Sequence, residues 1–152
     1  MTQLTPHFTL EELTASEAAD RNGWDNTPNE QELANLKRLA DFLEQVKAVV
    51  GGKPIMVNSA FRSKLVNDSV GSKDTSQHRI GCAADIRVPG MTPDDVVKAV
   101  IASKIAYHQV IREFWVPGES RGWAHVSIPN SPDAAPRQQA LIIDSRGTRQ
   151  YV

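Results

Sequence analysis

From Asn29 to Val50 the chain reads NEQELANLKRLADFLEQVKAVV, and Leu33, Leu36, Ala40, Leu43, Val46 and Val50 recur at intervals of three and four. That period predicts one long amphipathic helix whose apolar stripe faces a core. Asn29 and Glu32 form the reciprocal capping pattern at its start, and Gly51-Gly52 stops it. Thr9 and Glu12 repeat the device in HFTLEEL, which predicts a short helix near the N-terminus. IMVNSAF (55–61) and CAADIRV (82–88) are rich in apolar and β-branched residues and read as strands. MTPDDVVKAVIAS predicts a further helix with Thr92 as cap and Pro93 in the first turn, where a missing N–H costs little. HQVIREFWV (108–116) and WAHVSIP (123–129) read as two more strands. ALIIDSRGTRQYV (140–152) reads as a hairpin turning at Ser145 to Gly147. Helices come first and strands are interleaved later, so the expected class is α+β: helices packed against one face of a small, mostly antiparallel sheet. Residues 1–152 are expected to form a single domain.

The strand period then places particular side chains. In CAADIRV, Ala83, Asp85 and Arg87 share one face, while Ala84, Ile86 and Val88 share the other. In WAHVSI, Trp123, His125 and Ser127 lie opposite Ala124, Val126 and Ile128. A carboxylate and an imidazole are thereby set on the non-core faces of two strands, each flanked by apolar residues. Both need partners if they are enclosed, and a metal ion would satisfy both. His78, Asp85 and His125 are of the types that hold a catalytic zinc with three protein ligands. Spacing alone leaves a plainer arrangement open: His78 in a loop, Asp85 paired with an arginine, and His125 a hydrogen-bonded core histidine.

Composition narrows the chemistry. Apolar residues are 40% and charged residues 23% of the chain, ordinary values for a globular protein. Cys82 is the only cysteine, so neither an intrachain disulfide nor a multi-thiolate zinc site is available. Residues 1–50 carry nine acids and four bases, and residues 51–152 carry nine acids and thirteen bases. A mild basic tilt of that size suits a polyanionic surface but is explained as well by a solvated face. No apolar run approaches the length of a membrane span, and MTQLTPHFTLEEL has neither a basic start nor an apolar core of a signal peptide. Nucleic-acid binding and membrane insertion are not expected, and the chain is expected to act as a monomer.

SQHRIGCAADI (Ser76 to Ile86), followed by WAHVS (Trp123 to Ser127), resembles the SxHxxGxAxD…WxH motif of metallopeptidase family 15. These are the zinc D-alanyl-D-alanine carboxypeptidases and peptidoglycan endopeptidases, with a hedgehog-like zinc peptidase fold. NSAFRS (Asn58 to Ser63) is similar to the family's SGYRS segment, VNDSVGSKDTSQH to its approach to the first histidine, and HFTLEEL to the opening of its phage-associated branch. The resemblance covers most of the chain. It implies that His78, Asp85 and His125 ligate Zn²⁺, that Arg62 lies near the substrate carbonyl, and that the partner is the peptidoglycan stem peptide. Gly81 and the small residues Cys82 to Ala84 would let the chain turn and pack beside the metal, with Cys82 a small buried hydrophobe.

The sequence departs from the family in two places. Many relatives carry a general base three residues before the last histidine, where this chain has Gly122. Pairing Trp115 with Trp123 in a hairpin would set Glu113 directly opposite His125 on the same face, and a slip of two residues would keep that face. Glu113 is therefore the candidate base, in the QVIREF strand that is similar to QLIYEF of the phage-associated branch; Glu119, in the connecting loop, is its competitor. Ala60 and Phe61 replace Gly and Tyr of SGYRS, a change that could alter substrate contacts. His7 and His108 are expected to be structural or exposed. The expected activity is zinc-dependent hydrolysis of a stem-peptide amide bond, as an endopeptidase or a D,D- or L,D-carboxypeptidase. With no export signal, action on the wall is expected after phage-mediated release or as a virion component. The alternative is a cell-wall-binding or virion structural module that keeps the zinc site without catalysis.

Overall fold

The computed structural model describes residues 1–152. Its helices begin where the capping residues put them. Thr9 and Glu12 close a capping box on α1 (Leu10–Thr14), Asn29 and Glu32 on α3 (Glu30–Val49), and Thr92 and Asp95 on α5 (Pro93–Ser103), which has Pro93 in its first turn. Two further short helices, α2 (Glu17–Asn22) and α4 (Lys64–Ser69), lie where the sequence predicts no element. At six residues each they are too short to be set by periodicity, and packing on the rest of the chain holds them. A small pair of strands, β1 (Gln3–Thr5) and β2 (Phe8–Thr9), precedes α1.

Six strands build the main sheet: β3 (Met56–Ser59), β4 (Ala83–Arg87), β5 (Gln109–Glu113), β6 (Trp123–Ser127), β7 (Gln139–Asp144) and β8 (Gly147–Gln150). Their order is β3-β4-β6-β5-β7-β8, and every neighbouring pair is antiparallel except β5 with β7. The α+β class and mostly antiparallel sheet expected from the sequence are what forms. The C-terminal hairpin turns at Ser145-Arg146, with Asp144 paired to Gly147.

Alternation in the strands decides the two faces. Ala84, Ile86, Val110, Ala124 and Val126 point into one apolar core, where Leu36, Leu39, Leu43 and Val46 of α3 and Val96, Val97 and Val100 of α5 meet them. Leu33 departs from its predicted core place and stays 37% exposed. The first turns of α3 instead dock through polar groups: Glu32 takes a 2.7 Å ion pair from Arg79, and Asn35 Nδ2 donates to the Ile80 carbonyl at 2.9 Å. Arg79 and Ile80 both belong to the 3₁₀ turn Gln77–Ile80, so α3 positions that turn as well as the core.

A polar knot joins α5, β5 and the chain's last residues. Asp94 accepts from Arg112 Nη1 at 2.7 Å and from the Tyr151 hydroxyl at 2.8 Å, and Lys98 Nζ lies 3.1 Å away. The Arg112 guanidinium stacks 4.8 Å from the Trp115 ring centroid. Burial and the hydrogen bond to Asp94 push the Tyr151 phenol up to about 12. Unfolded tyrosine ionises near pH 10, so the contribution is present in full below that pH and is lost as pH rises toward about 12. Tyr151→Phe should cost about 1 kcal/mol at neutral pH and flatten the fall in stability between pH 10 and about 12, both measured by urea denaturation.

Candidate metal centre

Three elements deliver the candidate donors. Asp85 and His125 are directly paired across β4 and β6, so one cross-strand contact brings a carboxylate and an imidazole together. His78 comes from the 3₁₀ turn just before β4. His125 Nδ1 lies 3.0 Å and His78 Nε2 3.4 Å from Asp85 Oδ1, and the three donor atoms all fall within 4.8 Å of one another. The two imidazole rings meet edge to face at 5.2 Å.

The donor set fits a zinc ion. His78 Nδ1 sits 2.7 Å from the Ala60 carbonyl, which can only accept, so the ring proton belongs on Nδ1 and Nε2 carries a lone pair. This is the outer hydrogen bond that fixes the tautomer of a metal-binding histidine. Burial lowers the His78 pKa and favours that neutral ring, although Asp85 pulls the other way. Burial would raise the Asp85 carboxyl, but its contacts with His125 and His78 hold it well below the usual carboxylate range. A lone pair on Nε2 then faces an anionic oxygen, an arrangement that a cation between them makes attractive.

Arg62 and Glu113 flank the three donors. Arg62 Nη2 is 3.4 Å from Asp85 Oδ2, and its Nε donates to Ser59 Oγ at 3.1 Å. Burial lowers the pKa of this guanidinium against the pull of Asp85 and Glu113. Glu113 Oε1 is 3.7 Å from His125 Nδ1. Burial raises the Glu113 pKa and the charge of Asp85 adds to that, while His125 and Arg62 pull it down. Glu119, by contrast, stands half exposed in the loop and pairs with Arg121 at 3.1 Å.

The predicted hairpin register is off by two residues. Glu113 pairs with Trp123, and Ile111 is the residue opposite His125. The two-residue slip preserves the face, so Glu113 still reaches His125 diagonally. Gly122 explains both the register and the departure from ExxH. It has φ +97°, and a Cβ there would meet Trp115 Cα at 2.6 Å and the Glu113 carbonyl at 2.9 Å. No side chain fits, so a glutamate at this position is excluded by the backbone of the neighbouring strand.

Other expectations are refined. Phe61 is fully buried in the core, so the ring that replaces a phenol serves packing more than substrate contact. Gly81, at φ +82°, presses on α3, where a Cβ would meet the Glu32 carbonyl and Leu36 Cγ at 3.0 Å, rather than on the donors. Cys82 is buried beside Arg38, 3.7 Å away, and burial raises its pKa, as suits a packed thiol. His7 is tied to Glu44 at 2.7 Å, and His108 hydrogen-bonds through its backbone to Ser127. Ser59 and Asn26 escaped notice in the sequence. Asn26 bridges the Thr14 and Phe61 carbonyls through Nδ2, at 2.7 and 3.2 Å, and accepts from the Ser63 amide at 2.7 Å. It therefore clamps the chain on both sides of Arg62. Short-range patterning holds no signal for a side chain whose partners are twelve and more residues away.

Two imidazoles and a carboxylate, with an arginine and a second carboxylate beside them, form a site suited to metal-assisted hydrolysis. A family model described as Peptidase M15 matches residues 6–127, and the chain belongs to that family of peptidases, which are generally zinc-dependent. No curated protein matches the chain.

Asn26→Ala leaves two carbonyls and an amide without their partner, so it should lower stability by about 1–3 kcal/mol in urea denaturation and loosen Arg62. Gly122→Glu, which writes ExxH back into the sequence, should lower stability by more than about 1 kcal/mol and should not rescue a variant lacking the Glu113 carboxylate.

Proposed function

We propose that this protein is a zinc peptidase that hydrolyses an amide bond in the stem peptide of peptidoglycan, as a wall-degrading enzyme of a phage or prophage. The observation that carries the reading is the half-buried Glu113 carboxylate set beside His125, next to three converging donors. A module that only bound wall peptide would have no use for a carboxylate held there. Family membership supports the peptidase class, and the SGYRS-like and HFTLEEL segments support the phage-associated branch. No helix is long and apolar enough to cross a membrane.

His78, Asp85 and His125 would hold the ion. Zinc bound there supplies a Lewis acid for the scissile carbonyl and brings the pKa of water to about 7. Glu113 accepts the proton from the attacking water and passes it to the departing amine. Arg62, held by Ser59 Oγ and Asp85, donates to the oxyanion as it develops.

Digestion of purified peptidoglycan by zinc-loaded protein, read by mass spectrometry, should release fragments cut at one type of peptide bond; wall binding without any cut would favour the binding-module alternative. Elemental analysis should find about one zinc per chain, by the three-ligand pattern, and His125→Ala should lose it. Glu113→Gln should keep the metal while hydrolysis falls by about 10²-fold or more, and Glu119→Gln should change little. Arg62→Lys keeps a charge but loses the planar fork, so kcat should fall with zinc content unchanged.

A further inference from the structure

Phe114, the residue after Glu113, has φ +53°. A bulky side chain in the left-handed region is an outlier, and such strain gathers at ligand-binding sites. Regular alternation would send Phe114 to the face opposite Glu113, into the layer of helices. The left-handed turn breaks that alternation. The ring instead packs on Trp123, with centroids 5.6 Å apart and planes tilted by 36°. Trp123 shares its face with His125 and pairs directly with Glu113. Phe114 nonetheless stays 42% exposed, so the strain leaves an aromatic surface open beside the candidate base.

The surroundings say what that surface fits. Phe114 lines a cavity of about 430 Å³ whose apolar side continues through Trp115, Val116 and Pro117 and whose other side carries Arg121, Asp144 and Arg149. A purely apolar side chain would cover that apolar side and leave the charged groups facing it without partners. An anion would find most of the guanidiniums already engaged: Arg149 holds Asp144 through two bonds of 2.9 and 2.8 Å, Arg112 is bound to Asp94, and Arg121 to Glu119. What remains is an apolar floor that includes an exposed aromatic face, with a rim rich in donors and acceptors. A neutral ring with a C–H face and hydrogen-bonding edges matches both, because the negative face of an aromatic attracts polarised C–H groups. Ligand sites commonly combine such an apolar contact with a few fixed polar groups.

We propose that Phe114 and Trp123 form a platform for an N-acetylated amino-sugar ring of the glycan strand that carries the stem peptide, so that the enzyme favours glycan-linked over free peptide. This rests on the peptidase reading above, and the test separates the two. Tryptophan fluorescence of the full zinc-loaded chain, titrated with a tetramer of N-acetylglucosamine, should show saturable binding. Phe114→Asn should weaken it by about tenfold or more without lowering Tm, because asparagine tolerates the left-handed region, and Phe114→Trp should retain it. If Phe114→Asn does not fold, Phe114→Leu, which keeps bulk without the aromatic face, takes its place. In kinetics the wild type should show a lower KM for a glycan-linked peptide than for the same peptide free, and the substitution should erase that difference. No saturable sugar binding, or equal binding by wild type and the ring-less variant, overturns the platform. Sugar binding that depends on Phe114 but comes with no hydrolysis of either peptide upholds the platform and overturns the peptidase reading.

Discussion

The pairing of Asp85 with His125 across β4 and β6 is the contact on which the rest of the site depends. It is secured less by the two polar residues than by their neighbours. Ala84 and Ile86 on one strand, and Ala124 and Val126 on the other, alternate with them and fill the core. A slip of one residue would carry those apolar side chains out of the core and turn both polar groups into it. The cost of burying an unpaired carboxylate reinforces the same register. Hydrophobic order on one side of the sheet thus fixes donor geometry on the other.

From that contact outward, the site draws on progressively more distant chain. The His78 ring is aimed by the Ala60 carbonyl, and the turn that carries His78 is held by Glu32 and Asn35 of α3. Arg62 is steadied by Ser59, and its flanks by Asn26. The segment 59–63 therefore serves twice: its backbone orients a donor, and its side chain faces the same carboxylate from the other side.

Legibility of the sequence follows the range of the forces involved. Caps, helix periods and strand alternation act within a few residues, so α1, α3, α5 and the face assignments of β4 and β6 could be read from them. The ordered motif around His78, Asp85 and His125 pointed to three donors that the structure does bring together. What could not be read is set by contacts between distant residues. The Glu113 register depends on Gly122 fitting against the Trp115 backbone, the exposure of Leu33 on a polar docking surface, and the burial of Phe61 on the neighbouring core. Glu113 stays on the face of His125 despite the register error only because a two-residue slip leaves the face unchanged.

The terminal hairpin lies beyond the stretch matched by the family model, which ends at Ser127. Without β7 the sheet would end at β5, whose Val110 and Ile111 are buried, and its open backbone groups would invite pairing with another chain. β7 covers that border in parallel, and the Phe114 amide donates to the Ile143 carbonyl at 2.9 Å. β8 then becomes the outermost strand, and Gly147, Thr148, Arg149 and Gln150 are all exposed. The border on this side of the sheet is in this way moved from an apolar strand beside the candidate base to a short polar one.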